Sequence, residues 1–116
     1  NGHLAFHEPG VPFDRGLHVG ELSATTRDDA VGRFHPAPVP TRAVTSGVAS
    51  ILAARRLVLC AFGRGKAAAV RTMLEGEIGP ACPASAVRLH GNALVLLDRE
   101  AASLLTTPRQ AEASAR

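Results

Sequence analysis

The chain has 116 residues and a formal net charge of +3, and 46% of its residues are hydrophobic but only 3% are aromatic. With four Phe and no Trp or Tyr, its core must be built from Ala, Val and Leu, which favours a thin-layered α/β unit over an aromatic-rich sandwich. The basic residues are scattered and are not interleaved with stacking aromatics, so the composition argues against nucleic-acid binding.

The apolar segments and the cysteines exclude two further classes. No apolar run reaches the roughly 18 residues that a membrane-spanning helix needs, so we expect no membrane association. Cys60 lies in an apolar run and Cys82 in a proline-flanked turn, and neither has the spacing of a disulfide framework or a zinc site. Two isolated thiols of this kind are typical of a reducing compartment, so we expect a cytoplasmic protein.

The first predicted elements follow a loop at 9–16, which carries two prolines and two glycines. Apolar and polar residues alternate over 17–22, which predicts a short strand with one buried face. A helix at 26–34 comes next. Its cap is Ser23 or Thr25, the second of which begins a Thr-x-x-Asp capping box.

The clearest strand is 57–62, a continuous apolar run bounded by two arginines and a glycine. A strand that is hydrophobic on both faces belongs inside a covered, mostly parallel sheet, and 94–97 predicts a second strand of this kind. A helix ending near residue 74 and a last helix at 99–105, capped by Asp98, accompany these strands. The shorter predicted elements are a proline-rich extended stretch, a strand and two short helices, at 36–40, 42–45, 48–53 and 84–89.

These elements predict a single domain over residues 1–105. Residues 106–116 are mostly Pro, Gln, Ser, Ala and Arg without an apolar period, and such a segment cannot pack on a core, so we expect a flexible tail. No internal repeat is visible.

The first ten residues, Asn1-Gly-His-Leu-Ala-Phe-His-Glu-Pro-Gly10, combine two imidazoles and a carboxylate in six positions. One interpretation is general acid–base chemistry on a sugar, in which His3 shuttles a proton and Glu8 orients its imidazole. The alternative is a loop histidine bonded to a backbone carbonyl, with Glu8 in solvent. A metal site of His3, His7 and Glu8 is disfavoured because Pro-Gly ends any helix that could present them together, so we expect no metal.

The second motif is Gly63-x-Gly-Lys66, which follows a predicted strand and begins a helix. Free backbone N–H groups at a helix N-terminus and the charge of Lys66 together form a phosphate site in principle. The spacing differs from that of a nucleotide-binding P-loop. The alternative is an ordinary turn between strand and helix with a surface lysine.

The opening motif resembles the signature loop of the glucosamine-6-phosphate deaminase (isomerase) family, whose usual form is Asp-Gly-His-Ile-Ala-Phe-Asn-Glu-Pro-Gly. In the related phosphogluconolactonases a different, Thr-Ala-Ser-like stretch follows the Gly-His, so Phe6 and Glu8-Pro-Gly favour the deaminase branch. The similarity continues in order to about residue 105, through Glu21-Leu-Ser, Thr26-Arg, Arg33-Phe, Val39-Pro-Thr, Ala43-Val-Thr, Gly63, Lys66-Ala, Pro83-Ala-Ser and Leu89-His. The family's loop lies past the middle of the protein, so we expect the sequence to be the C-terminal half of a longer chain, truncated at its N-terminus.

The resemblance implies a Rossmann-like three-layer α/β unit with a mostly parallel sheet, and a fragment that is inactive by itself. It also implies an enzyme that converts glucosamine 6-phosphate and water to fructose 6-phosphate and ammonia without a cofactor. By the same resemblance, His3 and Glu8 take part in ring opening and Asn1 stands where the family has an Asp that completes the relay. Arg33 and Lys66 match residues that bind the substrate phosphate.

Two alternatives stay open. The chain can belong to a lactonase or an isomerase of another sugar phosphate, such as the galacto epimer. It can also be the sugar-phosphate-sensing domain of a transcription regulator, which shares this fold and binds without turnover. The upstream sequence distinguishes them, and homo-oligomerisation of the full-length protein is likewise left open.

Overall fold

The computed structural model describes residues 1–106. The predicted tail at 106–116 therefore lies outside the described residues except for Thr106. Among the described residues, none of the helices is long and apolar enough to cross a bilayer.

The first half of the chain forms a two-stranded antiparallel sheet with one helix between its strands. Strand β1 is His18–Glu21 and strand β2 is Arg42–Thr45, and their register pairs His18 with Thr45. Helix α1, Ala24–Phe34, connects them. Ser23 is its N-cap and accepts a hydrogen bond from the backbone N–H of Thr26, so Ser23 and not Thr25 caps this helix.

The second half contains a parallel pair of strands. Strand β3, Leu57–Ala61, pairs with strand β4, Ala93–Leu97, so that Ala61 lies opposite Leu97. Helix α3, Ala67–Glu75, follows β3 after a short 3₁₀ turn, and a seven-residue 3₁₀ helix, Pro83–Leu89, precedes β4. The prediction of a mostly parallel sheet is thus correct for this pair and wrong for β1 and β2.

The core lies between the β3–β4 sheet and the second-half helices. Its buried residues come from α3, from the 3₁₀ helix with the residue that precedes it, and from the segment after β4, namely Val70, Met73, Cys82, Ala84, Val87 and Ala101. Alternate strand residues such as Leu59 and Val95 pack against them. This core is made of small and medium aliphatic side chains, as the composition predicts.

The opposite face of the β3–β4 sheet is exposed within the described part of the chain. Val58, Leu94 and Leu96 are 55%, 41% and 44% exposed, and Cys60 lies on the same face. The sequence predicts strands buried on both faces, whereas within residues 1–106 only one face is covered.

The prediction of a last helix at 99–105 is wrong, because this segment forms turns. Asp98 still caps it, since its Oδ1 accepts a hydrogen bond from the backbone N–H of Ala101. Helix α2, Val48–Leu52, is short as predicted and begins after Gly47. A Cβ at Gly47 would lie 2.0 Å from the carbonyl oxygen of Arg15, so only glycine permits this close approach.

Candidate active site

The signature loop, residues 1–10, is built around a tight turn at Leu4–His7. The backbone N–H of His7 donates to the carbonyl of Leu4 at 2.8 Å, and Ala5 at the tip has φ of 49°. A left-handed non-glycine residue is uncommon and costs conformational energy, so the surrounding contacts must impose it. One such contact is the backbone N–H of Phe6, which donates to the buried hydroxyl of Thr45 at 2.9 Å.

Both ends of the signature loop are bonded to residues 80–84. The carbonyl of Gly2 accepts a hydrogen bond from the N–H of Ala84, and the N–H of Gly10 donates to the carbonyl of Pro80, each at 2.8 Å. Gly2 has φ of 78°, and a Cβ there would lie 2.7 Å from Sγ of Cys82. The loop is therefore packed directly on the core, and its conformation is defined by tertiary contacts.

Glu8 is the most constrained polar side chain of the loop. It is only 6% exposed, yet its carboxylate has a donor at each oxygen. Oε1 accepts hydrogen bonds from the Thr26 hydroxyl at 2.5 Å and the Ser23 backbone N–H at 3.4 Å, and Oε2 accepts one from Nδ2 of Asn1 at 3.0 Å. The carboxylate also lies at the N-terminus of α1, where the helix dipole favours negative charge. The alternative of a solvated Glu8 is thus wrong.

His3 has its ring fixed by the loop itself. Nδ1 lies 2.5 Å from the carbonyl oxygen of Ala5, which can only accept, so Nδ1 carries the proton and Nε2 carries the lone pair. The backbone N–H of His3 donates to Oδ1 of Asn1 at 3.1 Å. The ring could therefore act as a proton acceptor through Nε2.

The structure brings Asn1, His3 and Glu8 together but connects them differently from the expected relay. Asn1 bridges the His3 backbone and the Glu8 carboxylate. No hydrogen bond within residues 1–106 joins the His3 ring to Asn1 or to Glu8. The imidazole is oriented by the Ala5 carbonyl, so this part of the backbone-bonded alternative describes the geometry correctly.

His7 is a structural residue. It is fully buried, its Nε2–H donates to the carbonyl of Val11 at 3.0 Å, and its Nδ1 accepts from the backbone N–H of Val48 at 3.1 Å. Its ring also meets the ring of His18 edge-on, with centroids 5.4 Å apart. With both nitrogens used, His7 has no free ligand atom for a metal.

The two predicted phosphate-binding residues lie away from these contacts. Arg33 is in the last turn of α1 and Lys66 ends the 3₁₀ turn before α3, and both are exposed. No ion pair or hydrogen bond of either side chain is found within residues 1–106. Their long side chains are thus available to an external anion.

The prediction of free N–H groups in the Gly63–Lys66 turn is wrong for Gly63 and for Lys66. The N–H of Gly63 donates to the carboxylate of Asp98, and the N–H of Lys66 donates to the carbonyl of Gly63 at 3.1 Å. No partner for the N–H groups of Arg64 and Gly65 is found within residues 1–106, so both groups are available to an anion in addition to the lysine charge.

Thr26 and Ser23 are site residues that sequence reasoning missed in this role. The sequence pattern indicates Ser23 only as a helix cap, and Thr26 only as part of the family resemblance. The available signal was the glutamate itself, because a carboxylate in an apolar loop needs donors, and hydroxyls at a nearby helix N-terminus are the usual source.

The chain is similar to curated proteins named glucosamine-6-phosphate deaminase. It is 45% identical to one from Exiguobacterium sibiricum over 91% of this chain and 42% of that protein. It is 47% identical to glucosamine-6-phosphate deaminase 1 of Bacillus subtilis, over 90% of this chain and 43% of that protein. It is 46% identical to the protein of Streptococcus uberis, over 90% of this chain and 45% of that protein. The chain thus spans less than half the length of the curated relatives it matches. No protein-family model matches it.

The fold is similar to that of a solved structure described as a monomeric glucosamine-6-phosphate deaminase of the NagB superfamily. The two share 47% sequence identity with a TM-score of 0.83, over 90% of this chain and 44% of the other. Sequence and structure therefore agree over nearly the whole chain. Over about 90% of its length the chain is thus similar, in sequence and in fold, to glucosamine-6-phosphate deaminases.

Proposed function

We propose that this chain is part of an enzyme that converts glucosamine 6-phosphate and water to fructose 6-phosphate and ammonia. The observation that carries the proposal is the buried carboxylate of Glu8, bonded at both oxygens, in the loop that presents Nε2 of His3. An uncompensated buried carboxylate is costly, and three hydrogen-bond donors, from the signature loop, the N-cap of α1 and α1 itself, hold this one in place. The names of relatives at 45% to 47% identity support the same reaction.

His3 is assigned to opening of the pyranose ring. In this step the anomeric hydroxyl loses a proton, the bond between C1 and the ring oxygen breaks, and the ring oxygen gains a proton. Nε2 of His3 carries a lone pair and can take the first proton and deliver the second. Asn1 and Glu8 hold the loop around this histidine through the bridge from Oδ1 and Nδ2 of Asn1.

The later steps need a base that moves the C2 proton to C1, after which water replaces the nitrogen and ammonia leaves. We assign this base to a carboxylate beyond the present sequence, together with a glycine-rich phosphate loop. Arg33 and Lys66 are assigned to the phosphate of the substrate, because both are exposed cations without a partner among residues 1–106. The isolated chain should then bind weakly and be inactive.

The exposed sheet face supports a Rossmann-like three-layer fold in the complete protein. Parallel strands are almost always covered on both faces, and here Val58, Leu94 and Leu96 are exposed. The chain also spans only 40% to 45% of the length of its curated relatives. We propose that it is the C-terminal half and that helices of the remaining half cover this face. Its free cysteines suit a cytoplasmic location.

The test is an assay of the full-length polypeptide for ammonia and fructose 6-phosphate release from glucosamine 6-phosphate. Galactosamine 6-phosphate and 6-phosphogluconolactone serve as competing substrates. Equal release of both products from the gluco substrate is expected. Tight binding without turnover would favour a sugar-phosphate-sensing domain, and turnover of another substrate alone would reassign the enzyme.

A further inference from the structure

Asp98 connects the C-terminal ends of the two parallel strands. It follows β4 directly, and its carboxylate oxygens Oδ1 and Oδ2 lie 3.1 and 2.9 Å from the backbone nitrogen of Gly63, which follows β3. Oδ1 also accepts a hydrogen bond from the N–H of Ala101 at 2.7 Å. A charged acceptor that bonds two backbone N–H groups gives a stronger contact than a neutral one.

This contact leads directly to Lys66. Gly63 has φ of 83°, a left-handed conformation that favours glycine, and its carbonyl accepts the N–H of Lys66 at 3.1 Å. On the other side, α3 begins at Ala67, which is buried together with Val70 and Met73. The turn that carries Lys66 is therefore fixed by Asp98 at its start and by the core at its end.

We propose that Asp98 is a positioning residue for phosphate binding, which it serves through Gly63 and Lys66. The inference rests on the proposed function, since it assumes that Lys66 binds the substrate phosphate. Asp98 does not bind the anion, because both are negatively charged. By holding the Gly63 N–H, it sets where the lysine charge lies relative to the sheet edge.

The test compares Asp98→Ala and Asp98→Asn with the parent full-length polypeptide. Asp98→Ala should raise KM for glucosamine 6-phosphate about ten-fold, the effect of one charge-assisted hydrogen bond, with kcat within about two-fold. Asp98→Asn should raise KM less than Asp98→Ala, because its amide oxygen can still accept a hydrogen bond from the Gly63 N–H. It replaces the alanine variant in the test if that variant fails to fold. The exposed neighbour variant Glu100→Ala is the matched control and should match the parent.

A double variant separates positioning from general damage. If Asp98 acts through Lys66, Asp98→Ala should add little to the KM of Lys66→Ala. The proposal would be overturned if Asp98→Ala raised KM in the Lys66→Ala background by the same factor as in the parent. A lower KM in Asp98→Ala would also overturn it, because that result is expected if the carboxylate merely repels the phosphate. Calorimetric binding of glucosamine 6-phosphate to the same variants in the His3→Gln background, where turnover is suppressed, gives the same comparison as a Kd. An unchanged Kd in Lys66→Ala would overturn the inference even where the deaminase activity itself is confirmed.

Discussion

The side-chain amide of Asn1 donates to the carboxylate of Glu8, with 3.0 Å between Nδ2 and Oε2. The same amide accepts the backbone N–H of His3 through Oδ1. Only a side chain with both a donor and an acceptor can make this bridge, and an ionised Asp, the usual family residue, has acceptors alone. At this position the amide has thus become part of the support for the buried glutamate.

Asn1→Asp should therefore destabilise the loop at neutral pH. It replaces a hydrogen bond by two adjacent carboxylates, and the loss in free energy of unfolding should be about 1 to 3 kcal/mol. Urea denaturation of the full-length protein measures it. Asn1→Ala removes the donor without adding charge. If Asn1→Asp loses more free energy of unfolding than Asn1→Ala, the difference reports repulsion between the two carboxylates, and it should shrink as the pH is lowered. Equal stability of parent and Asp variant at neutral pH would contradict the bridge.

His3→Gln should lower kcat for glucosamine 6-phosphate by about 10²- to 10⁴-fold, the usual contribution of general acid–base catalysis. Substrate binding should change little, because Gln is polar and of similar size. The matched control is His90→Gln, since His90 bonds the carbonyl of Ala54 and the N–H of Asn92 away from the loop. Steady-state kinetics test this prediction. If kcat of His3→Gln lay within a few-fold of the parent value, the loop would be a binding element and not a catalytic one.

Thr26→Val should weaken the site through Glu8. The variant keeps the shape of the side chain but removes the hydroxyl that donates to Oε1 of the buried carboxylate. A hydrogen bond to a charged group contributes about 1.5 to 3 kcal/mol, and kcat should fall along with stability. Thr25→Val is the control, because Thr25 is exposed on the same helix turn. Thermal denaturation and kinetics of both variants test this, and identical behaviour of the two would disprove the role of Thr26.

Lys66→Ala and Arg33→Ala should each raise KM for the phosphorylated sugar. Each variant loses a charge-assisted contact that contributes about 1.5 to 3 kcal/mol to the binding free energy. Affinity for unphosphorylated glucosamine should hardly change, because only the phosphate contact is removed. The controls are Arg64→Ala in the same turn and Arg27→Ala on the same helix, both exposed. Paired measurements on the two sugars distinguish the outcomes, and an equal loss for both sugars would refute the assignment.

His7→Leu should destabilise the protein without a specific effect on the chemistry. It leaves the Val48 N–H and the Val11 carbonyl unpaired inside the structure, at about 1 to 3 kcal/mol for each buried group. The exposed His35 provides the control variant His35→Leu. Urea denaturation should separate the two variants, and a His7→Leu protein as stable as the parent would show that the ring is dispensable.

The local pattern of the sequence determined most secondary structure. Strand β2 lies where the sequence predicts it, β3 and α2 each end one residue earlier than predicted, and Ser23 is one of the two predicted caps of α1. Each of these depends on neighbours within a few residues, through periodicity, turn residues or a cap. The opening ten residues also carry the resemblance to the deaminase family, because they match its signature loop position by position except for conservative or polar replacements.

Tertiary structure decided how the site is assembled. Thr26 meets Glu8 across 18 residues and Asp98 meets Gly63 across 35, and no local pattern specifies which donor reaches which acceptor. The antiparallel pairing of β1 with β2 and the turns in place of a helix at 99–105 have the same origin, because packing overrides weak local preference. The sequence predicts His3, Glu8 and Asn1 as site residues. Only the fold shows that the Ala5 carbonyl orients the His3 imidazole and that Asn1 supports the Glu8 carboxylate.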